Sequence, residues 1–297
     1  MISLTVEEEK KERLDKYISV KCDLSRAKVQ NLIKEKKVTV NEKLEKESYK
    51  VCLNDKIDID DDLDFSVDVE PENIPIDIVY EDEYLMIINK KSGMVVHPAP
   101  GNYTGTLVNA LLYYLNKKKT KNIRPGIVHR IDKATSGLMV VAKTPKAEED
   151  LGKMIRNKEI ERVYLAIVDG VIGPASGTID APIGRDKKNR EKMCVTGDNS
   201  KNAITHFKVL ERFKNNTLVK CKLETGRTHQ IRVHMAYIGH PISNDPLYNS
   251  KNSTEFGQML HSYSISFIHP ETHKKIFFEV EPPKEFQDYL QNLRNNS

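Results

Sequence analysis

The chain has no tryptophan, only four cysteines in 297 residues, and no apolar run long enough to cross a bilayer. Cys22, Cys52, Cys194 and Cys221 form no CxxC pair and none stands at ligand spacing from a histidine, which argues against a disulfide framework or a zinc site. The amino terminus, MISLTVEEEKKERLDK, lacks the apolar segment of a signal peptide, so the expectation is a soluble cytoplasmic protein. A dominant charge is also lacking: 30% of residues are charged, yet the net charge is only +4, and the totals do not announce a nucleic-acid binder. The missing tryptophan, beside abundant Lys, Asn and Ile, follows a base-composition bias and carries no functional reading. The length suits one large domain with a small one, or two of similar size.

Three segments differ in pattern. From about Glu8 to Asp60, Leu14, Tyr17 and Ile18 are spaced as one face of a helix. A second helix starts at Ser25, with Val29, Leu32 and Ile33 inward and Arg26, Lys28, Lys34, Lys36 and Lys37 around the other face. Short strands are expected at 38–41, 49–51 and 55–59. Residues 61–75 are acidic, contain no Lys or Arg, and end in two prolines, the composition of a linker. From Ile76 to the C-terminus, strands are expected at 84–90, 137–142, 162–168, 203–210, 217–223 and 275–280, and helices at 106–115 and 230–238. Strand–helix alternation is not sustained, so the fold class is α+β: a mixed, largely antiparallel sheet with peripheral helices, plus a small α/β domain. The domains are 1–60, the linker 61–75, and 76–297.

The densest chemistry lies in His129-Arg130-Ile131-Asp132-Lys133-Ala134-Thr135-Ser136-Gly137, just before the apolar run 138–142. One carboxylate stands among basic and turn-forming residues, the layout of a reactive acid at the mouth of a strand. His229 and His234 are five apart, off the one-turn spacing of helical zinc pairs, and with His129 are read as hydrogen-bonding structural residues. Asn89 and Lys90 are read as shaping the floor or rim of the cleft.

Two resemblances follow from longer motifs. RLDKYI, LSRAKVQNLI and VTVN resemble the alpha-L RNA-binding domain, which implies that Arg26, Lys28 and Lys34 contact phosphates; a solvated charged face is the alternative reading. INKKSGMVVHPAPGNYTGTLVNALL, RPGIVHRIDKATSGLMVVAKT, RVYLAIVDG, LETGRTHQIRVHMAYIGHPISNDPLY and FIHP occur in the order found in the RluA-type pseudouridine synthases, with agreement over nearly all of residues 80–270. That resemblance implies an isomerase without cofactor or metal that converts uridine in RNA to pseudouridine, most often in large-subunit ribosomal RNA, and works as a monomer.

The family's nucleophile maps onto Asp132, its basic partner onto Arg232, and its base-stacking tyrosine onto Tyr164, whose hydroxyl would assist proton removal. Arg130 maps onto the residue that fills the space left by a flipped base, and Arg227 is a phosphate or loop contact. Attack at carbon 6 of the uracil or at the anomeric carbon stays open. A closed pocket disfavours the charged acid unless a cation compensates, the part Arg232 would play. Ile131, Ala134, Lys91 and Asn244 depart from the family pattern and touch loop detail and substrate choice.

Other classes fit less well. HRID is not the kinase HRD loop, because Ile131 intervenes, no Asn follows at the required offset and no phosphate loop precedes it. Ser136 lacks the GxSxG elbow of a hydrolase. The remaining rivals are a non-catalytic RNA-binding or ribosome-assembly protein of the same fold, and a transfer-RNA pseudouridine synthase.

Overall fold

A computed structural model describes residues 2–7, 11–22, 24, 26–60, 69–98, 102–116, 126–249 and 253–296, with the side chains of 27 and 28 outside the description. It divides into two compact units, Met1–Val67 and Asp68–Ser297.

In the first unit, β1 (Ile2–Thr5), α1 (Leu14–Lys21), α2 (Arg26–Lys34), β2 (Val38–Val40), β3 (Lys43–Leu44) and β4 (Lys56–Ile59) form an antiparallel sheet of order β1-β4-β2-β3 with two helices. The expected helical spacing is realised: Leu14, Tyr17 and Ile18 of α1 and Val29, Leu32 and Ile33 of α2 share one core with Val38, Val40, Ile57 and Ile59. Buried Asp15 accepts from Arg13 Nε (3.0 Å), Arg26 Nη2 (2.7 Å) and Gln30 Nε2 (2.7 Å), tying the two helices together. Residues 49–51, expected as a strand, make only a single bridge, Arg13 to Lys50. β1 has no counterpart among the sequence expectations.

The second unit is built on β5 (Ile78–Glu81), β6 (Leu85–Lys90), α3 (Leu107–Tyr114), β7 (Ser136–Ala142), α4 (Pro145–Arg156), β8 (Glu161–Asp169), β9 (Ser176–Asp180), β10 (Ile183–Arg185), β11 (Met193–Val195), β12 (Ile204–Arg212), β13 (Asn216–Leu223), α5 (Gln230–Tyr237), β14 (Leu260–Ile268), β15 (Lys275–Glu279) and α6 (Lys284–Asn295). Its main sheet runs β5-β6-β7-β14-β8-β13-β12-β9, with β15 added to β14, and β10 and β11 form a separate hairpin. All pairings are antiparallel except β7 with β14, which are parallel.

Both faces of the sheet are covered, so its central strands read as continuous apolar runs. Met86, Ile88, Met139 and Val141 pack in one core with Leu107, Leu111 and Phe286 from α3 and α6. The alternate residues Leu85, Ile87, Leu138 and Val140 pack on the other side with Ala147, Leu151 and Met154 of α4. Thr106 caps α3, exchanging hydrogen bonds with Asn109, and Thr144 Oγ1 caps α4 by accepting from Ala147 N–H at 3.1 Å. Gly137 has φ +109°, and a Cβ there would stand 2.2 Å from the Ser262 carbonyl oxygen, so only glycine allows β7 to approach β14 this closely.

The stretch expected to be a linker needs correcting. Residues 61–68 lie outside the described set, but Val69 is buried in the second unit's core, and Glu72 N–H donates to Asn109 O at 3.0 Å. The Glu72 carboxylate also accepts from Gly105 N–H at 3.1 Å, so the segment after residue 68 is anchored to α3 and the turn before it, which composition does not reveal. Among the described residues, no helix is long and apolar enough to cross a membrane.

Candidate active site

The segment 129–135 enters β7 from a cavity of about 400 Å³ lined by, among others, Asp132, Tyr164, His229 and Arg232. Several contacts hold the Asp132 turn. Thr135 N–H donates to Asp132 O at 3.0 Å, closing the turn, and Gln258 Nε2 donates to Thr135 Oγ1 at 3.0 Å. Ser92 Oγ donates to Ala134 O at 3.1 Å. Lys90, buried at the end of β6, donates to the carbonyls of Lys91 (2.8 Å), Met94 (2.9 Å) and Lys133 (3.0 Å). Burial pushes its ammonium down to about 7, yet three carbonyl acceptors require the three N–H donors that only the charged form has. Lys90 therefore braces the loop from beneath. Asn89 lies on the other side of the strand, donating to Asp77 Oδ2 at 2.9 Å, and does not line the cavity.

Arg232, on α5, is 100 residues from Asp132 in sequence and adjacent in space: its Nη1 donates to Asp132 Oδ2 at 3.0 Å. Its other edge forms a two-point pair with Asp245, Nε to Oδ2 at 2.7 Å and Nη2 to Oδ1 at 2.8 Å. Asp245 is fully buried, and its Oδ1 also accepts from the Leu247 and Tyr248 N–H groups at 2.9 and 3.0 Å. These donors outweigh burial and hold its carboxyl below the ordinary range, while the two carboxylates raise the Arg232 guanidinium above its own. The Tyr248 ring lies 5.1 Å from Arg232 Cζ, a cation–π contact that fixes the guanidinium plane. The fork thus arrives at Asp132 already oriented.

Tyr164 on β8 is buried beside the cavity, and burial raises its phenol above the ordinary value. The hydroxyl stays protonated at neutral pH, and the residue lines the cavity that holds Asp132. His229 sits in the left-handed conformation at the start of α5, with Nε2 4.0 Å from Asp132 Oδ1 and Nδ1 3.0 Å from the Tyr248 hydroxyl. It faces the acid instead of serving the scaffold alone. His234 does serve the scaffold, its nitrogens meeting Thr205 Oγ1 and Ala181 O, both at 2.9 Å.

Arg130 is exposed at the rim, and Arg227, half-buried, lines the same cavity while its Nε donates to Asn202 O at 2.9 Å. In the first unit, Arg26 is engaged by Asp15, a structural role that qualifies its reading as a free phosphate contact. Lys34 is exposed on α2, and the Lys28 side chain lies outside the described residues. Sequence reading missed Asp245 and Tyr248; the turn-forming SNDPLY was the only local signal, and it does not reveal that the carboxylate is buried.

The sequence pattern of RNA pseudouridylate synthase matches residues 84–237, and that of the S4 domain matches residues 12–57. The chain is 49% identical to the uncharacterized RNA pseudouridine synthase YlyB of Bacillus subtilis over 98% of its own length and 97% of that protein's. It is 42% identical to ribosomal large subunit pseudouridine synthase D of Zymomonas mobilis over 93% and 92% of the two chains. Among solved structures, human RNA pseudouridylate synthase domain containing 1 shares the fold with a TM-score of 0.60 at 24% identity, over 75% of this chain and 96% of that one. A cavity holding one carboxylate against a braced guanidinium thus sits within the matched segment of a chain that aligns with its relatives almost end to end: the chain belongs to the RNA pseudouridylate synthase family and carries an S4 domain ahead of the synthase domain.

Proposed function

We propose that this RNA pseudouridine synthase modifies uridine in large-subunit ribosomal RNA, with Asp132 as nucleophile, Arg232 as its oriented partner and Tyr164 as the platform for the flipped base. The observation that carries the site assignment is the 3.0 Å contact from Arg232 Nη1 to Asp132 Oδ2 at the cavity. The ribosomal substrate rests on similarity to proteins named ribosomal large subunit pseudouridine synthase D.

The reaction is an isomerisation. The bond from N1 of uracil to the ribose breaks, a bond from C5 to the same carbon forms, C5 loses its proton, and N1 gains one. A uridine must first leave its stack, at a cost of a few kcal/mol that is smaller in looped RNA. Asp132 then attacks as the carboxylate; carbon 6 of the base and the anomeric carbon both require the same charged oxygen. Arg232 stabilises that charge inside a cavity that excludes water once the base enters. The Tyr164 ring offers a stacking face for the detached uracil while it turns. The S4 domain supplies further RNA contacts through the exposed face of α2, Lys34 among them. The protein acts in the cytoplasm as a monomer in this reading.

The test is pseudouridine mapping at single-nucleotide resolution in cells lacking the protein, complemented with wild type or Asp132→Asn. Loss of one or a few large-subunit ribosomal sites, restored by wild type alone, is the expected result. Restoration by Asp132→Asn removes Asp132 from its role, and loss confined to transfer RNA overturns the ribosomal substrate.

A further inference from the structure

Arg162 precedes Tyr164 by two residues on β8, so the two side chains leave the strand on the same face. It lines the same cavity as Asp132, is only 5% exposed, and its Nε–H has no hydrogen-bond partner. Among the described residues no carboxylate forms an ion pair with it. The acids of the cavity are engaged elsewhere: Asp132 by Arg232, and Glu224 by Lys158 Nζ at 3.0 Å and His206 Nε2 at 2.7 Å.

A second buried donor belongs to His129, another residue of the cavity lining. His129 Nε2 accepts from Val140 N–H at 3.0 Å, which places the ring proton on Nδ1, and that Nδ1–H is buried without a partner. Burial, with the Arg162 charge acting in the same direction, pushes the imidazole down to about 3, so the ring is neutral and its proton stays on Nδ1. Gly226 leaves the guanidinium open: a Cβ there would stand 3.0 Å from Arg162 Nη1.

A buried guanidinium with no counter-ion costs several kcal/mol, and each unmade buried donor adds about 1–3 kcal/mol. Two such donors, each without a hydrogen-bond partner, fit a ligand atom that only accepts. The N3–H edge of uracil does not qualify. A phosphate oxygen does, and the net positive charge from Arg130, Arg156, Lys158 and Arg227 around the cavity favours an anion over a neutral carbonyl.

We infer that Arg162 and His129 form a phosphate subsite inside the substrate cavity, receiving a backbone phosphodiester oxygen of the RNA strand next to the flipped uridine. The inference rests on the RNA isomerase reading and adds to it the fixed point against which the nucleotide is held while its base detaches and turns.

The test follows the Arg162 Nε–H resonance in the ¹⁵N-labelled full chain, assigned by its loss in Arg162→Lys. Uridine 3′,5′-bisphosphate is expected to shift it saturably and uridine is not. An equal response to uridine overturns the proposal in favour of a uracil carbonyl, and no response to either makes Arg162 a closed structural residue. In parallel, Arg162→Gln is expected to weaken affinity for a large-subunit ribosomal RNA fragment at least tenfold. It should also reduce the slope of log K against log salt by about 0.7–0.9, the release expected for one phosphate. A tenfold loss with an unchanged slope overturns the phosphate assignment. Because the resonance reports binding without turnover, a response from a chain that forms no pseudouridine would sink the isomerase reading and leave the subsite standing.

Discussion

Replacing Asp245 by Asn preserves the shape of the side chain and removes the charge that orients Arg232. The amide oxygen can take over the bonds of Oδ1, which accepts from Leu247 N–H, Tyr248 N–H and Arg232 Nη2. The amide nitrogen then lies where Oδ2 stood, 2.7 Å from Arg232 Nε, and a donor meets a donor. One charge-assisted bond, worth about 1.5–3 kcal/mol, is lost, and a buried guanidinium keeps a single carboxylate in place of two. The combined cost is about 3–4 kcal/mol, which for a unit of this size lowers Tm by roughly 6–16 °C. Arg232 is then free to shift, and a displacement of about 1 Å at a reacting centre costs on the order of 100-fold in rate. The assay is single-turnover tritium release from RNA carrying 5-tritiated uridine, run well below the lowered Tm, with melting followed by circular dichroism. A Tm within about 2 °C and a rate within threefold of wild type would refute the argument. A lowered Tm with an intact rate would show that Tyr248 stacking alone orients the guanidinium.

Two further perturbations separate structural from binding charges. Arg26→Gln should lower the urea midpoint of the first unit, because buried Asp15 loses a partner at 2.7 Å, while the salt slope of RNA affinity stays unaltered; Lys34→Gln should reduce that slope by about 0.7–0.9, and the opposite pattern would make Arg26 the phosphate contact. His261, fully buried with Nδ1 2.9 Å from Ser136 Oγ and Nε2 2.9 Å from Val280 O, is pushed down to about 4 by burial. Below about pH 6.5 the unfolded chain protonates this histidine and the folded chain does not. Its contribution is therefore complete above pH 6.5 and is lost towards pH 4, at about 1.4 kcal/mol per pH unit. Urea unfolding between pH 4.5 and 7.5 should show that slope flattened in His261→Gln, and an identical slope in both proteins would mean that the ring is not held neutral.

Much of this architecture was legible because burial imposes a period. The run 85–88 is apolar at every position since the sheet is covered on both faces, and the helical spacing of Ile231, His234 and Met235 correctly located α5. β14 escaped for the converse reason. Its sequence, LHSYSISFI, buries His261, Ser262 and Ser264, polar groups that hydropathy assigns to the surface, although Ser262 Oγ is satisfied by Leu138 O at 2.9 Å. α4 carried a readable signature, Thr144-Pro145 at its start and Ala147, Leu151 and Met154 on one face, which went unread. Asp132 stood out from its basic and turn-forming neighbours, Tyr164 and Arg232 were legible only through longer motifs, and the structure brings all three to one cavity. Asp245 and the free donors of Arg162 and His129 were not legible, because whether a polar group has a partner is settled by chain segments far away in sequence.

The parallel pairing of β7 with β14 joins Ser136 and Gly137 to His261 and Ser262, and Gln258 from the segment leading into β14 clasps the Asp132 turn. During synthesis these groups leave the ribosome 125 residues apart, and long-range pairing of this kind forms late. The Asp132 turn therefore has no completed seat until nearly nine-tenths of the chain has emerged. The S4 domain has its own core and is made first, so a nascent chain can hold RNA well before it can alter it. Binding precedes chemistry in the life of each molecule, and a chain truncated ahead of β14 would compete for RNA without modifying it.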